Sequence, residues 1–250
     1  MFATEVTRHA GDAAAGAAEP PPGAAFFDVD ETLIGVKSMF RFLGHYLRLR
    51  GESQQVYERL TGQLRREAAA GVPREHVNRS YYRLFAGQPV ERLARAGRDW
   101  YRWEQREAAA DGGLFLAGPV DELRRHQRRG DVVHLLSGSF FACLDPLAEA
   151  LGADAALGTR PVVRRGELTG EVLRPMIGAA KGRALALAVG LRGYDGARCH
   201  AYGDHASDLP MLAAAGSATV VGDDPVLGEE ARRRGWRVLP GLPAAARTAL

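Results

Sequence analysis

The chain has 250 residues, 46% of them hydrophobic, and a formal net charge of +3. That length serves one large α/β domain or a core with a smaller insert, and that apolar fraction builds a real core. The near-neutral charge announces no nucleic-acid surface, no stretch approaches the roughly 20 apolar residues of a membrane span, and two distant cysteines, Cys143 and Cys199, offer neither a disulfide framework nor zinc-ligand spacing.

Residues 1–23, "MFATEVTRHAGDAAAGAAEPPPG", lack a continuous apolar segment and carry Glu5, Asp12 and Glu19. They make a poor signal peptide and read as a flexible leader. "AAFFDV", 24–29, reads as a short buried strand. From 37 to 117 the pattern is helical throughout. "SMFRFLGHYLRLR" sets Met39, Leu43, Tyr46 and Leu47 on one face, and "VYERLTGQL" does the same with Val56, Leu60 and Leu64. "VNRSYYRLF" and "VERLARAGRDWYRW" continue it, punctuated by Gly51, Gly71, Gly87 and Gly112-Gly113.

After 118 the rhythm alternates. "PVDELRRHQRRG" predicts a helix, "DVVHLLSGS" a strand, "FACLDPLAEALGA" a helix and "DAALGTR" a short strand. "PVVRRGELTGEVL" predicts a hairpin around Arg165-Gly166. "AAKGRALALAVG" is a helix, "RCHAYGD" a strand and "SDLPMLAAAG" a helix, and "SATVVG", "VLGEEARRRG" and "WRVLP" close the series. Such alternation predicts an α/β fold, a Rossmann-like, mostly parallel sheet with helices on both faces. The expected organisation is a core from 24–36 and 118–250, interrupted by a helical cap over 37–117.

In an open α/β sheet, ligands sit at the carboxyl ends of the strands. Asp28 and Asp30, Ser137-Gly138-Ser139, and Gly203-Asp204 with Asp208 all fall at predicted strand ends. Lys181 opens a helix that could reach the same edge. It and Lys37 are the two lysines in a chain that otherwise uses arginine. Clustered carboxylates do not all ionise without a cation, and an all-oxygen donor set with no His or Cys points to Mg²⁺. Mg²⁺, a lysine and a serine hydroxyl suit a phosphoryl group, whose transfer depends on positioning and charge neutralisation. One carboxylate could serve as nucleophile and a second, two residues on, as acid and base.

"DVDETL", "LLSGS", "KGRAL" and "GDHASDLPML" stand in the order and spacing of the haloacid dehalogenase-like phosphatases. The chain resembles their phosphoserine phosphatase-like branch, subfamily IB, which carries a helical cap between the first two motifs. The resemblance implies Asp28 as nucleophile and Asp30 as general acid and base with its backbone carbonyl on Mg²⁺. It implies Ser137 and the Gly138 amide as holders of the phosphoryl oxygens, and Lys181 as the cation beside phosphate and Asp28. Asp204 would ligate Mg²⁺, and Asp208 would support the metal site. Phosphoserine phosphatases place a glutamate nine residues past the nucleophile, where it meets the substrate ammonium; this chain has Lys37 there. A cation repels an ammonium, so Lys37 points instead to an anionic or hydroxyl-rich leaving group, such as a sugar, cyclitol or polyol phosphate. The familiar "GDGAND" reads "GDHASD", with His205 and Ser207 as departures.

The expected function is therefore a Mg²⁺-dependent phosphatase acting on a small phosphorylated metabolite, with a cap that opens and closes. Phosphoserine phosphatase, phosphomutase and phosphotransferase activities stay open as alternatives, as does a receiver-like phospho-Asp signalling module. Neither nucleic acid nor a membrane is an expected partner, a homodimer is left open, and two reduced thiols fit the cytoplasm. Ordinary structural roles exist beside these. Asp28, Asp30, Ser139 and Asp208 could be turn or cap residues. His205 reads as a solvated loop residue. Trp100, Tyr101 and Trp103 read as cap core, and "RRHQRR" and "RRRGWR" as solvated faces. Arg41, Arg79 and Arg83 are candidate substrate contacts in the cap.

Overall fold

The structure, a computed structural model, describes residues 21–242. The leader expected over 1–23 therefore lies, except for its last three residues, outside the described residues, as do residues 243–250. The first strand, β1 (Ala24–Phe27), is buried along its whole length. Four helices follow: α1 (Ser38–Leu49), α2 (Gln54–Ala69), α3 (Arg74–Arg83) and α4 (Val90–Glu107). Then come α5 (Ala117–Arg128), β2 (Val132–Ser137), α6 (Phe141–Leu151) and β3 (Ala155–Gly158). A hairpin of β4 (Pro161–Arg164) and β5 (Glu167–Val172) precedes α7 (Ala179–Arg192) and β6 (Cys199–Gly203). The chain closes with α8 (Leu209–Ala214), β7 (Ser217–Val221), α9 (Pro225–Arg234) and β8 (Arg237–Leu239).

Six strands form one sheet in the order β3-β2-β1-β6-β7-β8, and every pair is parallel. The expected α/β Rossmann-like fold is what the chain adopts. Winding runs outward from β1 to β2 and β3, then returns across β1 to β6. The strand order therefore reverses at β1, the switch point at which open sheets bind ligands. Phe27 lies level with Leu135 on β2 and Tyr202 on β6, so the next residues of all three strands emerge at one edge.

Strand periodicity divides the core in two. Ala24 and Phe26 pack with Leu136, Ala201, Met211 and Leu212 on one face. Ala25 and Phe27 face the other way and join Phe42, Tyr46, Phe85, Trp100 and Phe140 in one continuous cluster. The helices after β1 thus share a core with the sheet. Trp100 is fully buried there, and Trp103 is covered by the guanidinium groups of Arg41 and Arg48 at 4.8 and 4.3 Å from its ring centre. The closest joint is between α4 and α6: a Cβ added at Gly97 would lie 1.8 Å from the Ala142 carbonyl oxygen.

Two details differ from the sequence expectation. The first strand stops at Phe27 rather than Val29. The Val29 carbonyl accepts the amides of Leu33 and Ile34 at 2.8 and 3.1 Å, so its backbone serves a turn instead of a ladder. Helix α2 runs beyond 56–64 in both directions, because its flanking Gln, Arg, Glu and Ala residues favour helix without being apolar. The hairpin forms as expected, with Arg165 and Gly166 both at positive φ, as a tight two-residue turn requires. It bonds to the α3–α4 connection, through Gly87 and Gln88 to Leu168, rather than to the large sheet. Arginines of the basic runs are paired: Arg125 and, from far along the chain, Arg237 meet Glu122, Arg129 meets Asp131, and Arg233 and Arg234 meet Glu230.

Candidate active site

Each strand end at the switch point delivers one polar group. Asp28 follows β1 directly, and its amide donates to the Tyr202 carbonyl at 2.9 Å, which ties it to the neighbouring strand. Ser137 ends β2, and Asp204 follows β6. Lys181 stands in the first turn of α7, 4% exposed, and its ammonium donates to Asp28 and, at 2.6 Å, to Asp208. Burial alone would pull this ammonium down, but Asp208 and Asp28 outweigh it and hold its pKa raised.

Oxygens of Asp28, Asp204 and Asp208 all lie within 4.8 Å of one another. Burial and the charges of Asp28 and Asp208 push the Asp204 carboxyl well up, and burial and the Asp28 charge raise Asp208 despite Lys181. Three carboxylates, two buried and that of Asp204 half-buried, with one ammonium are short of positive charge, so a hard divalent cation fits this donor set. Thr32 lies between two of the acids, with its hydroxyl 2.8 Å from Asp204 and 3.3 Å from Asp28, so its one proton serves a single acid at a time. Asp208 has both oxygens engaged, one by Lys181 and the other by the His205 amide at 3.4 Å.

Asp30 stands apart from that cluster. Its Oδ2 accepts the Ser38 amide at 3.1 Å, while Oδ1 is buried without a partner among the described residues. Burial first, then the Asp28 charge, pushes its pKa up to about 7, so near neutrality it holds or yields a proton easily. The turn that carries it is strained: Glu31 adopts φ 61, a left-handed conformation unusual for a residue with a long side chain.

The β2–α6 loop is held from several sides. Ser137 Oγ accepts the Ser139 amide at 3.0 Å, leaving its own proton free for an incoming group. The Gly138 carbonyl accepts from Asn78 at 2.9 Å, the Tyr82 hydroxyl at 3.1 Å and the Thr159 hydroxyl at 2.8 Å. These partners fix the peptide plane of the loop from α3 on one side and the β3 end on the other.

Asp28, Asp30, Ser137, Gly138, Lys181, Asp204 and Asp208 line one cleft of about 330 Å³, and Lys37 lines it too. The Lys37 ammonium lies 3.5 Å from Glu31. Arg41, Arg79 and Arg83 are directed elsewhere. Arg41 grips the buried Glu104 with two bonds, Arg79 donates to the Val172 carbonyl, and Arg83 lies 3.9 Å from Glu171. His205 is half-buried rather than solvated, and its ring nitrogen accepts the Ser207 amide at 2.9 Å as a helix cap. Burial, with Arg74 nearby, lowers its pKa to about 4, so the ring is neutral. Sequence reasoning missed Thr32, Asn78, Tyr82 and Thr159. Thr32 lies inside "DVDETL" and had a signal; the others reach the loop only through tertiary contact.

A carboxylate centre with one lysine, set at the switch point of a parallel sheet and roofed by helices, belongs to a Rossmann-like α/β fold. Residues 25–213 match the haloacid dehalogenase-like hydrolase family, and the chain belongs to it. A probable phosphatase of Mycobacterium tuberculosis is 40% identical over 126 residues, which is 50% of this chain; the match spans only 44% of that relative's length. A phosphoserine phosphatase of the same organism is 31% identical over 244 residues, covering 90% of this chain and 74% of the relative. Among solved structures, a protein of unknown function from Bordetella pertussis superposes with a TM-score of 0.74 at 24% identity, covering 88% of this chain and 99% of that one. Among the described residues, no helix is long and apolar enough to cross a membrane.

Proposed function

We propose that the protein hydrolyses small phosphomonoesters in two steps through an aspartyl-phosphate. The observation that carries this reading is the pair Asp28 and Asp30, two residues apart but in opposite electrostatic settings. Asp28 is paired with Lys181 and presents a carboxylate. Asp30 has a free, buried Oδ1 and a pKa near 7. In the first step an Asp28 oxygen attacks phosphorus, the ester P–O bond breaks, and Asp30 gives its proton to the leaving alcohol. In the second, Asp30 takes a proton from water as the water oxygen attacks phosphorus, and the bond to Asp28 breaks to release phosphate.

Ser137 and the Gly138 amide hold the phosphoryl oxygens, and Lys181 neutralises charge on them and on Asp28. The side chains of Asp28 and Asp204, with the Asp30 carbonyl, would hold Mg²⁺, and Asp208 supports the site by fixing Lys181. When bound, the ion supplies charge neutralisation for the phosphoryl group. The helices of 37–117 act as the cap that excludes bulk water, with the core formed, among the described residues, by 24–36 and 118–242. Buried, unpaired Cys143 and Cys199 support a reducing compartment, the cytoplasm. The relatives' names support phosphatase chemistry.

The test is phosphate release from p-nitrophenyl phosphate with Mg²⁺, by the wild-type chain and by Asp28→Asn. Turnover by the wild type and its loss in the variant support the reading. Turnover retained by Asp28→Asn contradicts it. Transfer of phosphate to a second alcohol instead of water would mark a phosphotransferase or mutase.

A further inference from the structure

The chemistry above occupies the floor of the cleft, and the walls remain to be explained. On the cap side they are mainly apolar, Met39 and Phe40 of α1, Leu64 of α2, Val72 after it and Val77 of α3, with Ile177 opposite and with Asn78 and Tyr81 as the polar members. Asn78 Oδ1 could accept from one hydroxyl group, but the other hydroxyl groups of a polyol or sugar would face the apolar side chains without partners, which costs free energy for each one. An alkyl or aryl group loses nothing there and is driven in by its own desolvation.

The rim is cationic. Arg65 and Arg74 line the cleft beside this apolar wall, and among the described residues neither has an acidic partner within salt-bridge distance. The acids lining the cleft are the four at its floor and Glu31, which already faces Lys37 at 3.5 Å. An ammonium on the substrate would therefore meet cations and no free carboxylate. A second anionic group, carried past the apolar wall, would meet two guanidinium groups suited to bidentate contact. Arg65 and Arg74 favour the anionic half of the sequence-based expectation, and the apolar wall disfavours the hydroxyl-rich half.

We infer that the substrate is a phosphomonoester of an apolar alcohol, alkyl or aryl, that carries a second anionic group at its far end, recognised by Arg65 and Arg74. This rests on the phosphatase reading and specifies its leaving group. The cleft volume of about 330 Å³ limits the alcohol to a small one, since ligand pockets run from roughly 300 to 1,000 Å³.

The test measures kcat/KM of the full chain with Mg²⁺ for ethyl, butyl and hexyl phosphate, 6-carboxyhexyl phosphate, phosphoserine and glucose 6-phosphate. p-Nitrophenyl phosphate, whose activated leaving group needs little help from the walls, serves as the control for the chemistry. We expect kcat/KM to rise roughly fourfold per methylene from ethyl to hexyl. The carboxylate should add about tenfold more, a pair of surface-type ion contacts being individually weak. In the double variant Arg65→Ala/Arg74→Ala, both side chains lying exposed at the rim, the ratio of carboxyhexyl to hexyl phosphate should fall towards one. A flat alkyl series, or a preference for phosphoserine or glucose 6-phosphate, overturns the inference while p-nitrophenyl phosphate turnover leaves the phosphatase reading standing. A carboxylate preference that survives the double variant overturns the role of the two arginines. If p-nitrophenyl phosphate itself is not hydrolysed, the phosphatase reading fails and this inference falls with it.

Discussion

Asp30 and Lys181 show how much of the proposed chemistry depends on single side chains. Asp30→Asn keeps the hydrogen bond geometry to Ser38 but has no proton to give or take. General acid–base groups are worth about 10²–10⁴ in rate. With an alkyl phosphate, kcat should fall by that amount. With p-nitrophenyl phosphate the departing phenolate needs no proton, so the first step should survive and the second stall. Rapid-mixing absorbance should then show a burst of one p-nitrophenol per chain followed by slow turnover. A uniform slowing without a burst would remove Asp30 from the second step. Lys181→Met is a stability prediction as much as a catalytic one. It leaves Asp28 and Asp208 buried with no cation between them, and breaking such a buried pair costs roughly 3–5 kcal/mol. Urea unfolding in EDTA should report a loss of that order, and added Mg²⁺ should restore part of it.

At the scale of elements, the decisive contact is that of α4 on α6. Gly97 permits a backbone approach that no side chain allows, with the Ala142 carbonyl 1.8 Å from where a Cβ would sit. Gly97→Ala should destabilise by about 3 kcal/mol through overpacking, a fall in Tm of roughly 6–12 °C for a chain of this size. An unchanged Tm would mean that the two helices are less closely joined. Helix α2 is the contrasting case. It packs chiefly against α1 and α3 and buries only Thr61 and Leu64, whereas α4 buries five residues. Local opening follows the least buried element, so α2 amides should exchange hydrogen before those of α4, as mass spectrometry would report. Because α2 carries Leu64 and Arg65 over the cleft, its opening would admit substrate while α1, α3 and α4 stay in the shared core.

For the whole molecule, the buried acids link protons, metal and stability. Asp30 titrates near 7 in the folded chain, above its unfolded value near 3.8, and Asp204 and Asp208 are also raised. In metal-free protein the native state therefore holds extra protons between those limits. The stability that Asp30 contributes is full below about pH 4 and is lost as pH rises through 7, and Asp204 and Asp208 act with the same sign. His200 and His205 act with the opposite sign: burial lowers both to about 4, so they withdraw stability as pH falls from 6.5 towards 4. Comparing Tm with and without Mg²⁺ cancels the histidines to first order. Because ligand carboxylates must lose their protons to bind metal and the Asp204 carboxyl is raised, the rise in Tm on adding Mg²⁺ should grow as pH increases. A rise independent of pH would argue against a carboxylate metal site.

The sequence by itself determined the parallel α/β sheet, the helical block and the chemical nature of the centre. Alternation of apolar runs sets strand and helix, and acids placed at the ends of buried strands must meet at the switch point. It could not decide which cap residues face the cleft. Arg41 and Arg65 look alike along the chain, but one is consumed by the buried Glu104 and the other is left at the rim. His205 could equally have been solvated, until the Ser207 amide turned its ring into a cap. Nor could local pattern foresee that Asn78 and Tyr82 would hold a carbonyl some sixty residues away at Gly138. Periodicity tells a helix which face to bury. Which of its polar side chains point at the substrate is decided only by the partner surface that the rest of the chain brings to it.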